Sequence, residues 1–141
     1  MTAKLKLGEN HRRVVSVLLR GVERACDEIE AALSDSDGLL HRVSADLTRE
    51  QQESLRQMAE RARSELARIT SQIELDVSVH SQRRRILALL SSSIVNLEES
   101  TPDKLRGYGE ISAEAKSRLE AEFARLLALL NEMESALEEN I

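Results

Sequence analysis

The stretch Val77-Ser78-Val79-His80-Ser81-Gln82-Arg83-Arg84-Arg85 decides the fold of this chain. It lies inside a long apolar stripe that holds no Gly or Pro between Gln51 and Leu97. Upstream, Leu55, Ala59, Ala62, Leu66, Ile69, Ile73, Val77 and His80 recur at helical spacing. Downstream the stripe resumes as Leu87, Leu90, Ile94 and Leu97. Two readings follow. Val77 to Ser81 are weak helix formers and can hide a turn, which makes the chain a four-helix up-and-down bundle. Alternatively, residues 48–98 form one helix of about 75 Å at about 1.5 Å per residue. Three helices result, with the outer two folded onto the halves of the central one. Each half then leaves apolar surface uncovered, and dimerisation completes the core. The three arginines would oppose the positive end of a helix starting there, which favours continuity.

Outward from that stretch the pattern is helical throughout. The first helix is expected over 10–34, where Val15, Leu18, Val22, Ala25, Ile29 and Ala32 form one stripe. Leu19, Cys26 and Leu33 widen it, and a wide stripe suits more than one neighbour. Asp35-Ser36-Asp37-Gly38 stops the helix, and Leu39, Leu40, Val43 and Leu47 are expected to tuck the connection onto the core. Thr48 and Gln51 have the spacing of a capping box. Beyond Leu97, Thr101-Pro102 ends the helical pattern and suits a short helical turn reaching Gly107. A last helix is expected over 112–138, capped by Ser112. Its stripe is Ala115, Leu119, Phe123, Leu126, Leu130, Met133 and Leu137. The expectation is an all-α, antiparallel helical bundle forming a single domain over 1–141.

Composition excludes several classes of function. Of 141 residues, 41% are hydrophobic and 32% charged, a globular rather than disordered mix. Residues 98–141 hold eleven of the 25 acids and five of the 20 bases, so the acidity is concentrated there. That balance disfavours nucleic acid and anionic membranes, which need a basic footprint. Tyr108 and Phe123 are the only aromatics, too few for a base-stacking platform. Cys26 is alone, so no intramolecular disulfide forms, which suits a reducing compartment. The apolar run Ile86-Leu87-Ala88-Leu89-Leu90 falls far short of the roughly 20 residues that cross a bilayer. The first residues alternate charge with Leu and lack the apolar run of a signal peptide. The protein is expected to be cytoplasmic.

Few residues suggest chemistry. In an antiparallel hairpin the start of the first helix lies beside the end of the second, which brings His11 toward Asp76 and His80. Two imidazoles and a carboxylate can ligate a divalent metal. The competing reading is a polar end-layer in which a His–Asp hydrogen bond fixes register. No Glu stands three residues before any His, against a di-iron carboxylate bundle. His80-Ser81-Gln82-Arg83-Arg84, in a chain of bundle size, resembles a histidine phosphotransfer domain. The resemblance implies a phosphate-accepting His80 with Arg84 to neutralise the phosphate. The Lys-Gly that usually follows such a histidine is absent. Cys26 is followed by Asp27 and Glu28, which disfavour a thiolate, so it reads as structural. Tyr108, between Gly107 and Gly109, is a candidate anchor for a protein partner.

The sequence therefore points to a non-enzymatic helical protein-interaction module, adaptor-like or chaperone-like. It is expected to use no cofactor, and to bind a protein partner or self-associate, with a homodimer favoured. The alternatives are a ligand- or metal-binding bundle and a histidine phosphotransfer domain.

Overall fold

The computed structural model describes residues 3–138, and it is all-α. Its helices are α1 (Glu9–Ser34), α2 (Arg49–Gln72), α3 (Gln82–Glu99) and α4 (Ala113–Glu138), with a 3₁₀ helix at Lys104–Tyr108. α1 packs against α2, and α3 packs against α4. The chain divides into two compact units, one ending at Ser78 and one starting at Val79. Among the described residues no helix is long and apolar enough to cross a membrane.

In the first unit, α2 begins where its capping box predicts. The Thr48 hydroxyl accepts from the Gln51 N–H at 3.0 Å, and the Gln51 side chain accepts from the Thr48 N–H at 2.9 Å. α2 turns Leu55, Ala59, Ala62, Leu66 and Ile69 toward α1, with Ala59 buried. The inward line of α1 is Val15, Ser16, Leu19, Cys26 and Leu33, with Ser16 and Cys26 buried. Arg63 of α2 spans the hairpin to α1. It donates to Glu30 at 2.9 Å and to Asp27 at 2.6 Å. These hydrogen bonds hold the guanidinium pKa above its ordinary value, with Glu30 the larger cause.

The far end of this hairpin settles the central question. α2 ends at Gln72, and the extended segment beyond it is tied down by bonds from other parts of the chain. The Leu5 N–H donates to the Gln72 carbonyl at 2.8 Å, and the Glu74 N–H donates to the Leu5 carbonyl at 2.9 Å. Leu5 and Ile73 thereby form an isolated parallel β-bridge. Two residues on, the Asp76 N–H donates to the Ser16 hydroxyl, and the Arg12 guanidinium pairs with the Asp76 carboxylate at 2.9 Å. The continuous helix over 48–98 is therefore not formed. The break starts at Ile73, ahead of the weak formers Val77 to Ser81, because long-range bonds satisfy the backbone there instead of a helix. The chain re-enters a helix with Ser81 as N-cap, its hydroxyl accepting from the Arg84 N–H at 3.3 Å. The dipole cost of the three arginines, about 0.3–1 kcal/mol each before screening, is offset by the Ser81 cap together with the long-range bonds from Leu5, Ser16 and Arg12 that end α2.

The connection between α1 and α2 also differs from expectation. Leu39 and Leu40 are fully exposed, and Val43 and Leu47 are exposed too, so they do not tuck onto the core. Polar bonds shape this loop instead. The Asp37 carboxylate accepts from the Val43 N–H at 2.8 Å, and the Gly38 N–H donates to the His41 carbonyl at 3.0 Å. A Cβ at Gly38 would meet the His41 ring, an exposed side chain free to move aside.

In the second unit, Leu87, Leu90, Ile94 and Leu97 of α3 face Leu119, Phe123, Leu127, Leu130 and Leu137 of α4. Leu90 and Ile94 are buried. Pro102 is completely buried, and the Lys116 ammonium reaches the Asp103 carboxylate at 2.7 Å. Gly109 has a φ of 138°, a value that favours glycine, and turns the chain toward α4. The Ser112 hydroxyl then accepts from the Ala115 N–H at 3.1 Å. Leu126 and Met133 belong to the stripe predicted for α4, yet they lie exposed. One partner helix covers only a narrow arc, and Leu127 occupies it instead of Leu126.

Candidate functional site

The most conspicuous chemistry of the first unit is an apolar face with nothing on it. A helix turns about 100° per residue. Val14, Leu18, Val22, Ala25 and Ile29 therefore share one arc of α1, beside the line that faces α2. Leu18 is 64% exposed and Val14 57% exposed, and Val17, Val22 and Ile29 are exposed as well. This arc contains most of the stripe that the sequence assigns to the core. The residues that truly pack on α2 are mainly those that widen the stripe, Leu19, Cys26 and Leu33.

The hairpin thus has two unlike faces. In an antiparallel pair, equal rotation away from the contact line leads to the same side of the hairpin. Arg63, Glu30 and Asp27 fall on one side and form the charged clamp. Met58, exposed on α2, falls on the other, with Leu18 and Val22. A shallow open groove between Met58, Arg61, Ala62 and Glu65 continues that side across α2. The second unit repeats the arrangement in smaller form, with Ile86 and Leu89 of α3 and Leu126, Leu129 and Met133 of α4 all exposed.

Surface area puts a scale on these faces. The chain exposes 11887 Å². A compact protein of 15.8 kDa exposes about 7,300 Å², and two separate globules of half that mass expose about 8,800 Å² together. The excess therefore persists even if each unit is treated as a domain of its own. Two-helix layers, which cover each helix on one side only, contribute to it, as does the exposed connection over 35–48.

The residues that suggested chemistry are placed as follows. Asp76 does lie at the start of α1, as hairpin geometry predicts, but Arg12 holds its carboxylate rather than His11. His11 is exposed on the first turn of α1. His80 lies in the extended segment ahead of α3, within the second unit, and not on a helix stripe. Among the described residues, no three His, Cys, Asp or Glu side chains are grouped so as to hold a metal ion. For the phosphotransfer resemblance, His80 is not mid-helix, and the Arg84 backbone serves the Ser81 cap. Cys26 is buried against α2. Tyr108 ends the 3₁₀ helix and is almost fully exposed.

No single polar residue marks the face. The signal for it was the width of the α1 stripe, which exceeds what one neighbour can cover. In comparison with known proteins, the chain matches no family model, and no curated protein or solved structure gives a significant match.

Proposed function

We propose that the chain is a non-catalytic helical interaction module, adaptor-like or chaperone-like, whose uncovered α1 face receives a helical surface of a protein partner. The observation that carries this reading is the row Val14, Leu18, Val22 and Ile29, exposed along one side of α1. Fully burying a Val, Leu or Ile side chain contributes about 1.5–3 kcal/mol, so a row left half-exposed forgoes several kcal/mol. A partner that covers it recovers that stabilisation. Helix-in-groove recognition uses anchors at this helical spacing. The single buried thiol of Cys26 suits a reducing, cytoplasmic setting.

Native mass spectrometry of the chain, purified gently from its own host, tests the reading. The expected spectrum contains the chain bound to another polypeptide, either a second copy or a different protein. Leu18→Asp with Val22→Asp should release that polypeptide while leaving the circular-dichroism spectrum helical. A bare monomer at every concentration sampled, unchanged by the double substitution, would overturn the proposal.

A further inference from the structure

Resting on the interaction reading, we infer that the occupant of the α1 face is a second copy of this chain, docked α1 on α1 in antiparallel fashion with the crossing at Gly21. Two independent observations lead there. The first is Gly21 itself. Glycine is among the poorest helix formers, and this one lies near the middle of a 26-residue helix. A Cβ at Gly21 would meet nothing within 4 Å, so no packing inside the described chain calls for glycine. Gly21 lies between Val14 and Val17 around the helix, at the edge of the uncovered arc of Val14, Leu18, Val22, Ala25 and Ile29. A glycine there lets a second helix backbone approach closely, which is the use glycine has where helices cross.

The second observation is charge. Clear of the Arg63 clamp that engages Asp27 and Glu30, and of the Arg12–Asp76 pair, α1 carries Arg13 before Gly21 and Glu28 after it. Arg13 lies within 3.5 Å of Glu9 at the helix start. A parallel pairing of two such helices sets like charges side by side. An antiparallel pairing about a two-fold axis at Gly21 sets Arg13 of each helix near Glu28 of the other. Arg13 lies eight residues before Gly21 and Glu28 seven after, both on the Val17 side of the helix. Each Arg13 then meets Glu28 of the other copy, twice per dimer. A stable interface needs about 800 Å² per partner, so α2 residues beside the α1 face, such as the exposed Met58, would have to join it.

Sedimentation velocity on the full chain, over a range of concentrations, tests the inference through two sets of variants. Gly21→Leu should raise the dimer dissociation constant at least tenfold while helicity holds or rises, because leucine is the better helix former. Arg13→Glu and Glu28→Arg should each weaken the dimer roughly tenfold, and the two together should return it to within about threefold of the original. That reciprocal rescue is specific to the antiparallel pairing. A dimer insensitive to both sets would place the interface elsewhere and overturn the inference, while leaving the interaction reading intact. A chain that stays monomeric at about 200 μM would also overturn it. The interaction reading would then stand or fall on whether native mass spectrometry finds a different polypeptide released by the Leu18 and Val22 substitutions.

Discussion

The backbone N–H of Asp76 donates to the hydroxyl of Ser16 at 2.8 Å, a bond between residues 60 positions apart. Ser16 is 2% exposed. The bond is thus made at a buried hydroxyl on the inward line of α1, and it pins the segment leaving α2 across the start of the hairpin. Together with the Arg12–Asp76 ion pair it prevents α2 from running on toward α3.

Ser16→Ala should therefore cost about 1–2 kcal/mol, since it removes the acceptor and leaves a part-buried N–H unpaired. The Asp76 amide should lose at least as much protection as amides in the middle of α2, which report only the global loss. Urea denaturation and hydrogen exchange together check this. An Asp76 amide that is unprotected even before the substitution would show the bond to be absent in solution.

The two N-caps differ in a way that makes an ordered prediction. Thr48 has the full reciprocal box, with bonds of 3.0 and 2.9 Å, whereas Ser81 has one bond of 3.3 Å. Thr48→Ala should cost about 1 kcal/mol and Ser81→Ala about half of that. Chemical denaturation of the two variants gives both numbers. A larger loss at Ser81 would mean that the box at Thr48 is not made reciprocally.

How much of this was legible in the sequence depends on the range of the interaction concerned. The capping box at Thr48, the Ser112 cap and the inward stripes of α2 and α3 follow from spacing alone, because the partners are three or four residues apart. The end of α2 at Gln72 was not legible. No Gly or Pro marks it, and what stops the helix is Leu5, Ser16 and Arg12, brought there only by the hairpin. Asp76 was placed rightly at the start of α1, but its partner could not be chosen, since His11 and Arg12 are adjacent and a 100° turn decides between them. The α1 stripe shows the converse limit. Periodicity reports that a side of a helix is apolar, and says nothing about whether this chain or another covers it.

Leu39 and Leu40 make the last prediction, because they separate folding from binding. Both side chains are fully exposed at the turn of a loop held by the Asp37–Val43 and Gly38–His41 bonds. Those bonds use the Asp37 carboxylate and backbone groups, so neither leucine side chain takes part in them. Leu39→Ser with Leu40→Ser should then change the unfolding free energy by no more than about 0.5 kcal/mol, the range of surface substitutions away from packed features. The thermal midpoint should move by a few degrees at most. A loss of 2 kcal/mol or more would mean that the two leucines are buried in solution, either on the hairpin or under another polypeptide. Repeating the measurement at two protein concentrations separates these cases for self-association, because only an intermolecular contact makes the midpoint depend on concentration.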